Sequence, residues 1–196
     1  MGGDAAIYKG AFKQANIIHA EDLEDLFMYA KILEKCHPPK GKRVQIITNG
    51  GGYGIITTDE VIMHGLDMAE MSEDNKRSLR KHFPDIVIVK NPMDLLGDTT
   101  SERYKLAIDA ALRDRNVDII ILIVLMQTPL LGTDVVDAII ELNKESTKPI
   151  IAISTGGEFT NIMKRNLEAG GVPTFTYPLN AVKAVAKLVE YYQQRP

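Results

Sequence analysis

The sequence predicts a doubly wound α/β domain: a five-stranded parallel sheet with helices on both faces and a short helical N-terminal appendage. Two observations carry this. From Arg43 onward, five short apolar runs recur, and most lack the polar alternation of a half-exposed strand. They are VQIIT (44–48), IVIV (86–89), IIILIVLM (119–126), PIIAIS (149–154) and PTFTY (173–177). Between the runs lie amphipathic stretches of helical period, and strand-then-helix units in series form a parallel sheet with right-handed crossovers.

Taken in chain order, the first forty residues differ from the rest. Tyr8, Ala11, Phe12 and Ala15 share one helix face, and Leu23, Leu26, Phe27, Ala30 and Leu33 share another, opened by EDLEDL. Between them, IIHA (17–20) reads as a strand or a connection. CHPPKGK (36–42) breaks the pattern with two prolines and a glycine, as a linker does. The expected division is therefore an appendage over 1–40 and the sheet domain over 41–196, with the appendage packed on the domain because its apolar faces need cover. In the domain, Tyr104, Ala107, Ile108, Ala111 and Leu112 repeat at helical spacing after a start at Thr100 or Ser101. Val135, Ala138, Ile139 and Leu142 come after a start at Thr133-Asp134, and Val182, Val185, Leu188, Val189 and Tyr192 close the chain.

Composition narrows the function classes. A chain of 196 residues with 45% hydrophobic content can bury a full core without metal or disulfide support. A net charge of -3 gives no electrostatic reason to expect nucleic acid or an anionic membrane. The single cysteine, Cys36, cannot form an internal disulfide, and no Cys/His cluster points to a metal, so a reducing, cytoplasmic setting is expected. The longest apolar run, Ile119 to Met126, is too short to span a bilayer.

Ligands of open parallel sheets sit beyond the carboxyl ends of the strands. Those ends carry TNGGGYG (48–54), NPMDLLGD (91–98), MQTPLLGT (126–133) and STGGE (154–158). The first is the richest. Glycines at 50, 51, 52 and 54 let the backbone approach a ligand closely, and a helix start behind them offers free N–H groups and the positive end of a dipole. Asn49, Gly50, Gly51, Gly52, Tyr53 and Gly54 are thus candidate phosphate-binding residues. The plainer alternative is a tight turn whose glycines serve packing. The loop lacks the Lys-Ser/Thr end of a Walker A motif, and Ile55 stands where the last glycine of G-x-G-x-x-G belongs. A receiver-type domain is disfavoured by Thr48-Asn49 and Met126-Gln127 in place of its acidic residues, and a flavin site by the absence of tryptophan. In NPMDLLGD, Asn91, Asp94 and Asp98 are secondary candidates; the preferred reading makes Asn91-Pro92 a turn and Asp98 the N-cap of the helix over 101–113. In STGGE, a simple turn is preferred to a ligand loop.

TNGGGYGIITTDEV resembles the glycine-rich loop and helix of the C-terminal domain in the succinyl-CoA synthetase superfamily, and is most similar to the ADP-forming acyl-CoA (acetyl-CoA) synthetases. In order along the chain, NPMDLLGDTTSERY, NVDIIILIVLMQTP and the leading AIYKGAFKQANIIHAEDLEDLF resemble further segments of that family, so the likeness covers essentially the whole chain. The resemblance implies a flavodoxin-like fold and a share in the conversion of acyl-CoA, ADP and phosphate to free acid, CoA and ATP. It also implies a phosphohistidine held between two helix N-termini, one of them the helix behind Gly50 to Gly54. The family's Ser-His-Thr-Gly motif does not occur in these residues, and MGGDAAIY resembles the segment just downstream of that motif, which places the histidine before residue 1. His19, His37, His64 and His82 are expected to be surface or capping residues, so no catalytic residue carries over. The resemblance further implies that phosphate is held at the helix start, while CoA, ADP/ATP and Mg2+ bind the complete enzyme. Its partners are then a CoA-binding domain, a histidine-bearing domain and an ATP-grasp domain. A stand-alone anion-binding module on the same fold is the competing expectation.

Overall fold

The computed structural model describes residues 4–193. Helices α1 (Ala5–Gln14) and α2 (Leu23–Lys35) precede β1 (Arg43–Thr48), α3 (Gly51–Met63), β2 (Asp67–Met68), α4 (Glu73–Arg80) and β3 (Met93–Asp94). Then come α5 (Ser101–Arg113), β4 (Ile119–Ile123), α6 (Asp134–Glu145), β5 (Ile150–Ile153), α7 (Glu158–Ala169), β6 (Thr174–Phe175) and α8 (Pro178–Gln193).

All strand pairs are parallel, in the order β2-β1-β4-β5-β6, with β3 also paired to β1. The sheet therefore has six strands where five were expected, although they fill five columns. β4 pairs along one side of β1, from Val44 to Thr48, so β2 and β3 share the other side. β2 takes Arg43 and Val44, and β3 takes Ile47 and Thr48. The gap between them is closed by Asn91, whose Nδ2 donates to Val44 O (2.7 Å) and Ala69 O (2.9 Å) while Ile46 N–H donates to its Oδ1 (3.0 Å). An amide side chain here stands in for a missing strand residue.

The expected strand IVIV (86–89) does not form. Its backbone makes local turns instead, with Val87 N–H donating to Pro84 O and Lys90 N–H to Ile88 O. The column beside β1 is already occupied, so the segment serves only as cover. Val87 and Val89 are buried in the core, whereas Ile86 and Ile88 face solvent. The stretch IIHA is a connection.

Successive residues of the central strands alternate between two cores. Ile47, Ile120, Leu122, Ile150 and Ala152 pack under α4, α5, α6 and α7. Val44, Ile46, Ile119, Ile121, Ile123, Ile151 and Ile153 pack under α2, α3 and α8. This is why the runs read as unbroken apolar stretches. Of the two leading helices, α2 joins the second core through Met28, Tyr29 and Ile32, and its buried Asp25 pairs with Lys183 of α8 at 2.6 Å. By contrast, α1 buries no residue.

Candidate anion site at the start of α3

The strand order reverses between β1 and β4, which makes their carboxyl ends the natural ligand crevice of this sheet. Three anchors shape the loop there. Gly50 N–H donates to Thr48 Oγ1 (2.9 Å), and that hydroxyl donates on to Gly50 O (3.0 Å). Asn49 is buried and clasps the loop after β4: its Oδ1 accepts from Leu125 N–H (2.8 Å), and its Nδ2 donates to Leu125 O and to Thr128 Oγ1, both at 3.1 Å. Beneath them, the fully buried Tyr104 hydroxyl donates to Ile123 O at 2.6 Å, and burial pushes its pKa well up, so it stays a neutral donor.

The glycines divide into two kinds. A first side-chain carbon at Gly50 would lie 2.5 Å from Leu125 Cδ1, at Gly51 2.6 Å from Asp94 Oδ2, and at Gly54 3.1 Å from Thr48 Cγ2 and 3.4 Å from Pro92 Cβ. Those positions are held small by their neighbours. Gly52 differs: a Cβ there would meet nothing within 4 Å, and its φ lies outside the left-handed range. Gly52 faces open solvent at the helix start, so its smallness answers no packing need within the described residues.

Gly54 N–H makes the first helical bond, to Gly50 O at 3.1 Å. Among the described residues the N–H groups of Gly51, Gly52 and Tyr53 have no protein acceptor, Gly50 supplies no side-chain cap, and the first turn holds no acidic residue. These groups, at the positive end of the helix dipole, suit an external anion. Ile55 and Ile56, beside them, are 63% and 51% exposed, an apolar shoulder that no described element covers.

The predicted residues thus have different roles. Gly51, Gly52 and Tyr53 present the free donors, whereas the Asn49 side chain is fully engaged in structure and turns away from any ligand at the helix start. Asp94 Oδ1 accepts from Leu96 N–H (2.9 Å) and Oδ2 lies against Gly51, which sets a carboxylate beside the donors. Asn91 is the splice between β2 and β3. Asp98 is not the N-cap of α5. That position belongs to Thr100, whose Oγ1 accepts from Arg103 N–H (3.4 Å), while the exposed Asp98 pairs with the Arg103 guanidinium at 2.8 Å. Leu125 and Thr128 support the loop through a partner 76 and 79 residues away, which no local pattern signals, whereas Thr48 supports it through Gly50, only two residues on.

The histidines lie elsewhere. His64 caps the far end of α3 with Nδ1 3.0 Å from Glu60 O, His19 stacks on Phe12, and His37 and His82 are exposed. Among the described residues no group of three or more His, Cys, Asp or Glu side chains is placed to hold a metal. No described helix is long and apolar enough to cross a membrane.

Comparison with known proteins gives these features a family. The model of the Ligase-CoA domain matches residues 44–195. The chain belongs to the Ligase-CoA domain family. It is 34% identical over 194 residues to the alpha subunit of an ADP-forming acetate–CoA ligase (II) of Pyrococcus furiosus, covering 97% of this chain and 42% of that one. It is 32% identical to the ADP-forming acetate–CoA ligase I of Archaeoglobus fulgidus, covering 97% of this chain and 27% of the relative. This Ligase-CoA chain therefore spans less than half the length of these relatives. Among solved structures, a dinucleotide-forming acetyl-coenzyme A synthetase 1 of Ca. Korarchaeum cryptofilum superposes with a TM-score of 0.91 at 29% identity, over 100% of this chain and 43% of the other. The same protein in complex with phosphate and ADP superposes at 0.90.

Proposed function

We propose that this chain is a domain or subunit portion of an ADP-forming acyl-CoA synthetase, and that the start of α3 holds phosphate or a phosphohistidine supplied by a partner domain. The observation that carries this is the unanswered Gly51, Gly52 and Tyr53 donor set on a helix with neither cap nor first-turn acid. The family membership and the relative solved with phosphate and ADP support the same reading. Preorganised backbone donors stabilise charge as it builds on a transferring phosphoryl group without reorganising at the moment of reaction. In the full reaction, phosphate displaces CoA from acyl-CoA to give an acyl phosphate, a histidine of another domain takes its phosphoryl group as the free acid leaves, and ADP then receives that group to give ATP and restore the histidine. CoA, ADP and Mg2+ belong to the complete enzyme, with a CoA-binding domain, a histidine-bearing domain and an ATP-grasp domain as partners. Ile55 and Ile56 give the histidine-bearing domain an apolar surface on which to seat.

The test is complementation. The pure chain, given acetyl-CoA, ADP and phosphate, should form no ATP, and labelled ATP should leave no acid-labile label on His19, His37, His64 or His82. Adding the separately prepared CoA-binding, histidine-bearing and ATP-grasp parts of a related synthetase should restore ATP formation only when the chain is present. Turnover by the chain alone, or full activity of the other parts without it, overturns the proposal.

A further inference from the structure

A second recess lies at the opposite edge of the sheet from the split column, between α2, α7 and the end of β6. It encloses about 460 Å³ and is bordered by Lys31, Lys164, Arg165, Phe175, Thr176 and Asn180 among others. Its size falls in the range of small-molecule sites, roughly 300–1,000 Å³, and greatly exceeds a lone inorganic ion. The edge strand would otherwise offer an open backbone, but Lys31 Nζ donates to Thr174 O (3.0 Å), pairs with Glu168 (2.7 Å) and lies 5.3 Å from the centre of the Phe175 ring. Glu168 also accepts from Thr174 Oγ1 at 2.8 Å. Lys31 and Glu168 therefore answer each other. Glu24, at the mouth on α2, accepts from Asn180 Nδ2 at 2.6 Å.

Lys164 and Arg165 are left. Lys164 is half-buried in the recess and its Nζ donates to Thr176 Oγ1 (2.6 Å), yet among the described residues neither it nor Arg165 has a carboxylate within 4 Å. With Lys31, Lys164 and Arg165 against Glu24 and Glu168, the lining carries a net charge of +1. Most lysines elsewhere in this chain reach a carboxylate or a backbone carbonyl, so a half-buried ammonium resting only on a hydroxyl stands out. Burial, followed by the nearby Lys31 charge, lowers the Lys164 pKa against a smaller opposing pull from Glu168, and an arriving anion would act in the same sense as Glu168.

We propose that this recess binds the phosphoryl group of a small phosphorylated organic molecule, with Lys164 and Arg165 as its charge partners and Thr176 and Asn180 as neutral hydrogen-bonding groups. Lys164 and Arg165, neither within ion-pair distance of a carboxylate among the described residues, offer an ammonium and a guanidinium to one phosphoryl group, a common pair for phosphate oxygens. The buried Phe175 and Met28 give the organic portion an apolar wall. This site does not depend on the reading of the α3 start, which lies beyond a different strand.

The experiment isolates it from that start. Calorimetric titrations are made on a Gly52→Val chain, in which approach to the α3 donors is blocked, with inorganic phosphate, AMP and adenosine as probes. Saturable binding of AMP or phosphate is expected to persist, with no binding of adenosine. Adding Lys164→Gln should weaken it about tenfold or more, the loss of one charge-assisted hydrogen bond, while Lys164→Arg should retain most of it. Melting temperatures of each variant exclude unfolding as the cause. If neither phosphate nor AMP binds the Gly52→Val chain, if Lys164→Gln binds as tightly as its parent, or if adenosine binds as well as AMP, the proposal fails. A stronger affinity for AMP than for phosphate would show that the apolar wall contributes; equal affinities would assign the recess to the phosphoryl group alone and remove the organic part of the proposal.

Discussion

The helices α3 and α5 both begin at the carboxyl edge of the sheet, on opposite faces, and finish their exposed N–H groups in different ways. α5 is closed by its own residues. Thr100 caps it, Glu102 sits in its first turn, and Arg103 reaches back to Leu95 O (2.7 Å) and Asp98 (2.8 Å). α3 has none of these, and its loop is instead held rigid from behind by Thr48, Asn49 and the loop after β4. One start is complete within the chain; the other is a fixed frame around donors left for something else. The difference separates a helix end closed by its own residues from one whose first N–H groups stay free.

The sharpest way to break the comparison is at Gly52. Because a Cβ there meets nothing and the backbone is unstrained, Gly52→Val should leave the melting temperature nearly unchanged. In an assembled synthetase it should slow phosphoryl transfer on the order of 10²-fold, the usual cost of losing a preorganised donor, with little effect on CoA binding. A folded, fully active Gly52→Val enzyme would make α3 as closed as α5. Gly54→Val should do the reverse. Its side chain must push Thr48 and Pro92 aside, and overpacking of this kind costs roughly 1–3 kcal/mol, read as a lower urea midpoint.

Much of this contrast is legible in the sequence, and the part that is not has a physical reason. The glycine cluster announces the frame because glycines at 50, 51, 52 and 54 directly after a buried strand mark a close backbone turn into a helix, and β1, β4 and β5 are visible as runs because both their faces are buried. β2 and β3, at two residues each, are too short to have a period, while IVIV has the composition of a strand and no free column to join. Asp98 and Thr100 are both good caps two residues apart, so the sequence favours Asp98 as readily as the true N-cap of α5, and only the backbone decides between them. The Asn49 clasp joins residues 76 apart, a contact that no local pattern encodes.

That clasp gives the next test. Asn49→Ala removes the partner of Leu125 N–H and Leu125 O in a buried setting, and should cost about 1–3 kcal/mol of stability. If the α3 frame is held from behind by this side chain, hydrogen exchange should speed up at Leu125 and Gly50 before it does so in α5. Uniform acceleration across both helices would mean that Asn49 supports the sheet generally and not the frame.

The smallest expected effect lies at Asp94, whose charge already sits beside the α3 donors. Its Oδ1 is engaged with Leu96 N–H, and Oδ2 rests against Gly51, so the carboxylate offsets part of the positive helix end and repels an incoming anion. Asp94→Asn keeps the Oδ1 acceptor and removes the charge. Two shifts of opposite sense should result. Stability should fall by about 0.3–1 kcal/mol, the usual worth of a charge at a helix start, and phosphate affinity at α3 should rise by about two- to fivefold from the same interaction with its sign reversed. Both should shrink together as salt is raised, since exposed charges are screened over about 8 Å at physiological ionic strength. Titrating phosphate into a Lys164→Gln chain, whose second recess is weakened, with and without Asp94→Asn reads the change in affinity at α3, and urea melts of the same proteins read the stability. An affinity that falls when Asp94 is neutralised would mean that the carboxylate positions the anion instead of competing with it, and the α3 donors would then be only half of the site.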